Sequence, residues 1–334
     1  MEASINAILG VVFGSGVPVW ALMTAWVAVL LAALFALIRG SDMFVVGATQ
    51  LGAAMGMSTF AIGVLIVGFG TSFPELASSI AAVMQGSTEI VVANVVGSNI
   101  TNILLVVGVV VMVGGRIVIK RDLIKTELPI FFISTAHFVA VVYDGVVDRL
   151  EALLLVGTFS AYIWYLFAEA KDVDQVALTK KNGTPEVRVR AIVFILLGLI
   201  SVLIGAHFAI KSVIFLGTSS GVPVSVISIF AIALGTSLPE LFVGLKAVRS
   251  GHGELAIGSI FGSNAFNILM VVGIPGLFAT LVASEVVMNL GLGILMAASA
   301  IFFVNGLARQ IMRWEGMMML LFFAFFILKL VDFL

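Results

Sequence analysis

Long apolar runs separated by short polar connectors recur from one end of the chain to the other. A run of about 20 apolar residues is long enough to cross a bilayer as a helix, a form that satisfies its backbone N–H and C=O groups internally. Ten such spans are predicted, at residues 22–53, 58–84, 89–114, 125–144, 149–170, 189–218, 223–249, 254–281, 285–306 and 311–333. The pattern divides the chain into an N-terminal extension (1–21), a first block of five spans (22–170), a polar linker (171–188) and a second block of five (189–334). Residues 1–18 have no basic start, their leading charge being Glu2, and are expected to form a short extension rather than a signal peptide.

Composition agrees with a membrane protein. Only 10% of the 334 residues are charged and 61% are hydrophobic, against about 25% charged in a soluble domain. The 17 Lys+Arg nearly cancel the 18 Asp+Glu, so there is no basic field for nucleic acid. The absence of cysteine excludes a disulfide scaffold, a Cys-ligated zinc and a thiol nucleophile. The fold class expected is an all-α polytopic membrane protein whose surroundings are the lipid bilayer. No cofactor and no protein partner is indicated.

The placement of basic residues orients the spans. Thirteen fall on one side: Arg116, Lys120, Arg121, Lys125, Lys171, Lys180, Lys181, Arg188, Arg190, Lys246, Arg249, Arg309 and Arg313. Arg149 and Lys329 fall on the other, while Arg39 and Lys211 lie within spans. Basic connectors stay in the cytoplasm, so the 171–188 linker is expected there and both termini outside it.

The chain repeats itself at one fixed offset. GTSFPEL at 70–76 returns as GTSLPEL at 235–241, and GSNITNIL at 97–104 as GSNAFNIL at 262–269, each 165 residues later. The register holds from Gly40/Gly205 to Gly108/Gly273, and between 70 and 108 the two copies agree at 19 of 39 positions. Each copy contains five predicted spans. Five is odd, so the second copy enters the membrane from the opposite side. Two inverted repeats of five helices are typical of secondary transporters, with the substrate at the repeat interface near the midplane.

The repeated motifs carry oxygen chemistry inside apolar runs. Glu75 and Glu240 lie at a depth where a carboxylate needs a partner or a wet cavity. Pro74 and Pro239 each remove a backbone donor and push the chain off helical geometry, which frees carbonyls one turn earlier. Thr71, Ser72, Thr236 and Ser237 add hydroxyls beside these expected breaks. Neither motif contains Cys or His, and an all-oxygen set suits hard cations such as calcium. Two carboxylates match one divalent ion, two sodium ions or two protons. In G-S-N-x-x-N, Ser98 with Asn102 and Ser263 with Asn267 share helix faces at i, i+4. They suit sodium or the orienting of the glutamates, whereas Asn99 and Asn264 read as helix packing.

These paired motifs resemble the alpha repeats of the cation/calcium exchanger superfamily, most closely its prokaryotic sodium/calcium exchanger-like members. The resemblance covers nearly the whole chain and includes Gly40-Ser41-Asp42, similar to the G-S-D of the family's first span. It implies calcium bound by Glu75 and Glu240 with the backbone carbonyls of Thr71 and Thr236. It implies sodium sites drawing on Ser72, Ser98, Ser237 and Ser263, with carbonyls at Gly68 and Ala233 and Asn102 between the glutamates. Asn267 stands where potassium-dependent members carry Asp; by resemblance this leaves two formal negative charges and disfavours potassium co-transport. The resemblance further implies that spans 22–53 and 189–218 slide against the other eight to alternate access, in a prokaryotic inner membrane.

The function expected is a secondary antiporter exporting Ca2+ in exchange for Na+, and not an enzyme. An antiporter of the same fold exchanging H+ for Ca2+ or another divalent cation is the nearest alternative, since two glutamates also hold two protons. A cation channel could use paired glutamates, but an inverted repeat argues against it. An intramembrane enzyme would need a nucleophile and base or a His-bearing metal site, which three scattered histidines do not offer. Asp42, His207 and Lys211 are expected to snorkel from a helix end to the interface. Glu89 and Glu254 are expected to favour helix starts, and Asp144 and Asp148 to flank a solvated turn.

Overall fold

The computed structural model describes residues 18–120, 127–172, 185–221 and 235–332. Helices dominate. In chain order they are α1 (Val19–Ala54), α2 (Thr59–Met84), α3 (Glu89–Gly114), α4 (Glu127–Val142) and α5 (Arg149–Asp172). After the linker come α6 (Pro185–Ser219), α7 (Leu238–Arg249), α8 (Gly253–Phe278), α9 (Val287–Ala308) and α10 (Arg313–Asp332). Among the described residues seven of these, α1, α2, α3, α6, α8, α9 and α10, contain a stretch long and apolar enough to cross a membrane.

The boundaries depart from expectation at the start of α1 and at both ends of the linker. Helix α1 starts at Val19, inside the expected extension, with Pro18 as its extended N-cap. Helices α5 and α6 run on to Asp172 and back to Pro185, which narrows the linker from both sides. The expected span 223–249 is described only in its second part, α7, because residues 222–234 lie outside the described residues.

Burial sorts the helices into an inner and an outer set. The apolar stretch of α8 is 94% buried and that of α3 78%, against 17% for α1, 22% for α10 and 28% for α6. Of these outer helices, α1 and α6 pack along each other. Glycine sets how closely they approach: a Cβ at Gly40 would lie 2.8 Å from the backbone nitrogen of Val202, and one at Gly205 would lie 2.9 Å from that of Leu37. Lipid tails are as apolar as leucine, so packing of this kind, rather than the hydrophobic effect, holds membrane helices together. The two contacts are equivalent under the 165-residue offset. Ser201 Oγ, which donates to Ala36 O at 3.0 Å, also joins positions 165 apart.

Two short antiparallel ribbons tie the halves together. Strand β1 (Ile117–Val118) pairs with β4 (Gln310–Ile311), and β2 (Val146–Val147) pairs with β3 (Leu281–Val282). The partners Ile117↔Ile311 and Val146↔Val282 are the same pair of positions with the halves exchanged. Each ribbon thus uses one strand from each copy of the repeat.

Candidate functional site

The first glutamate motif does not break its helix at the proline. Pro74 lies inside a regular α-helical stretch, Phe69–Met84. The disturbance falls earlier, where Gly63–Gly68 winds as a π-helix. An i→i+5 turn leaves backbone groups imperfectly paired, and π segments recur at functional sites for that reason. In the second copy the backbone does break: Thr236 and Ser237 form a turn, and α7 starts immediately after, with Pro239 in its first turn. The G-S-N-x-x-N motifs end in further π segments, Asn102–Val106 and Asn267–Val271, again 165 apart.

Both glutamates are 1% exposed, and Ser72, one helical turn before Glu75, reaches Glu240 through its hydroxyl. Glu240 Oε1 accepts long hydrogen bonds of 3.5 Å from Ser72 Oγ and Ser263 Oγ. Ser263 Oγ also lies 3.0 Å from the carbonyl oxygen of Gly68, at the end of the π segment. Across the copies, Ser98 and Thr236 hydroxyls meet at 2.9 Å, and their repeat equivalents Ser263 and Thr71 meet at 3.4 Å. Asn102 Nδ2 donates to Asn264 Oδ1 at 3.2 Å. Glu240, Ser72, Thr71, Ser263 and Gly68 thus share one contact network. Ser98 with Thr236, and Asn102 with Asn264, form two further pairs between the copies.

Several buried oxygens have no hydrogen-bond partner among the described residues. They include both carboxylate oxygens of Glu75, Oε2 of Glu240, Oδ1 of Asn102 and Asn267, and Ser237 Oγ. Burying a carboxylate unpaired is costly, and a cluster of oxygen acceptors fits a hard cation. Among the described residues no group of three or more His, Cys, Asp or Glu side chains could hold a metal. The site therefore has two formal charges amid neutral oxygens. Ala233, the remaining expected sodium ligand, lies outside the described residues.

Other side chains singled out in the sequence find the following partners. Asn264, read as packing, does join two helices, accepting from the amide of Asn102. Asn99 does serve its own helix, donating to Val95 O at 2.8 Å. Asp42 does not snorkel from a helix end: it lies well inside α1 and pairs with Lys246 Nζ of α7 at 2.8 Å. Glu254 lies in the first turn of its helix, as expected, and also accepts the backbone N–H of Lys120 beyond β1. Asp148 and Glu151 cap the start of α5 reciprocally, each accepting the other's N–H at 2.8 Å.

A family model for sodium/calcium exchanger proteins matches residues 25–168 and 190–331. The sodium/calcium exchanger MaX1 of Methanosarcina acetivorans is 32% identical over 90% of this chain and 97% of its own. The inner membrane protein YrbG of Escherichia coli is 30% identical over 75% of this chain and 79% of its own. A solved structure of the sodium-calcium exchanger NCX_Mj, soaked with zero Na+ and Ca2+, superposes with a TM-score of 0.78 at 28% identity, covering 92% of this chain and 99% of that one. With both halves matched and a relative aligned over nearly its full length, this membrane protein belongs to the sodium/calcium exchanger family.

Proposed function

We propose that the chain is a secondary antiporter that exports Ca2+ in exchange for Na+ by alternating access. Its ten spans form two inverted repeats of five, with the basic connectors in the cytoplasm of a prokaryotic cell and both termini outside. Calcium binds Glu75 and Glu240 with the carbonyls of Thr71 and Thr236. Sodium uses Ser72, Ser98, Ser237, Ser263 and the carbonyls of Gly68 and Ala233, with Asn102 and Asn267 at the centre. The observation that carries this reading is the set of buried oxygens on Glu75, Glu240, Asn102 and Asn267 that have no hydrogen-bond partner among the described residues. A bare dication satisfies them; sodium ions, with half the charge each, can replace it on the same carboxylates. Exchange follows from that competition, since the two cargoes cannot both neutralise one pair of charges.

Alternating access needs a site reached from either side by a moving element. The outer pair α1 and α6, joined by close glycine contacts and less buried than α3 and α8, is the element we assign to that motion. Calcium uptake into inside-out vesicles tests the reading, with a sodium gradient and a pH gradient imposed in turn. Uptake driven by sodium is expected. Uptake driven by the pH gradient alone would assign a proton antiporter, and no uptake under either gradient would contradict calcium exchange.

A further inference from the structure

The 165-residue symmetry fails at one charged contact between the outer helices and the core. Lys246 Nζ on α7 pairs with Asp42 Oδ1 on α1 at 2.8 Å, with the two side chains 30% and 33% exposed. The equivalent positions are Ala81 on α2 and His207 on α6, both exposed. Alanine cannot answer a charge, so no second copy of the ion pair can form. The packing around the two contacts differs in the same sense. Helix α7 lies on α1, and its Val243 is fully buried; the matching face of α2 leaves Phe73, Ser78 and Ala81 exposed. Lys246 lies in the last turn of α7, and Asp42 meets it from within α1, twelve residues before that helix ends; in the orientation proposed above, the end of α7 faces the basic connectors.

We propose that Asp42 and Lys246 form a one-sided latch that holds the outer pair against the core at the basic end. The latch favours the conformation closed at that end, and its absence at the other end makes the two access states unequal. Both residues act by positioning α1 against α7 rather than by touching the ion. A partly exposed pair is worth little on its own, but a modest bias suffices where two conformations differ by only a few kcal/mol. The inference rests on the alternating-access reading above.

The lack of cysteine makes the test direct. Ser41, next to Asp42 and 2% exposed, is replaced by cysteine as a reporter. Its labelling by a charged, membrane-impermeant maleimide is timed in inside-out vesicles. Asp42→Asn and Lys246→Met are each expected to speed labelling about three- to fivefold. The exchange of charges, Asp42→Lys with Lys246→Asp, should bring the rate back to within about twofold of the parent. A second reporter, Ala48→Cys, buried on the same helix, replaces the first if Ser41→Cys does not fold. Unchanged labelling in both single variants, or a charge exchange labelled as fast as they are, overturns the latch. Sodium-driven calcium uptake is measured in the same vesicles of the unsubstituted protein. Uptake with unchanged labelling rejects the latch alone; absent uptake rejects both the latch and the exchanger reading.

Discussion

At the scale of single residues, neutral side chains surround the carboxylate of Glu240, where the hydroxyls of Ser72 and Ser263 reach Oε1. Asn102 Nδ2 is held by Asn264 Oδ1 at 3.2 Å, while Asn102 Oδ1 has no hydrogen-bond partner among the described residues. Asn264→Ala leaves that amide unpinned without altering formal charge. Apparent calcium affinity in vesicle uptake is expected to fall about tenfold, the scale of one net hydrogen bond; affinity within twofold of the parent would remove Asn264 from the site. The candidate oxygens were legible in the sequence because each stands in a motif written twice. The link from Asn102 to Asn264 was not, since it joins positions 162 apart. The Asp42–Lys246 pair was hidden for the same reason, with each charge alone reading as a residue near an interface.

At the scale of helices, apolar runs marked the elements and glycine governs how they meet. A side chain at Gly40 or Gly205 would drive Cβ to within 2.9 Å or less of the opposing backbone. Gly40→Val and Gly205→Val are therefore expected to lower the melting temperature in detergent by several degrees and to reduce transport. Overpacking of this kind costs typically about 1–3 kcal/mol. Gly157→Ala, whose Cβ meets nothing within 4 Å, should leave both unchanged. Equal melting temperatures for all three would mean that α1 and α6 are not held by backbone contact. The helical irregularities were legible only in part. Pro74 announced a disturbance, but the backbone yields instead at Gly63–Gly68, and Pro74 fits within the helix that follows. A π segment is a slip in hydrogen-bond register; no residue type dictates it, so the segments at Asn102 and Asn267 left no mark beyond the repeat itself.

At the scale of the whole molecule, each ribbon takes one strand from each half, and the equivalence of their registers is what an inverted duplication requires. The uneven placement of the basic residues is the ground for the sidedness we propose. In this cysteine-free chain, a cysteine at Thr179 in the linker should be labelled by an impermeant reagent only in inside-out vesicles. One at Tyr143, 78% exposed, should be labelled only in right-side-out cells; the reverse pattern would invert the orientation. Odd span number and basic asymmetry are the sequence features behind this proposed orientation, whereas the pairing of Asp42 with Lys246 was visible only in the structure. The central claim is that one divalent ion is held by two copies of one glutamate, and calcium titration of the purified protein tests it most directly. Glu75→Gln and Glu240→Gln should each weaken calcium binding by about 100-fold or more, the scale of breaking a buried charge pair. Calcium affinity retained in both single variants would contradict the two-carboxylate site.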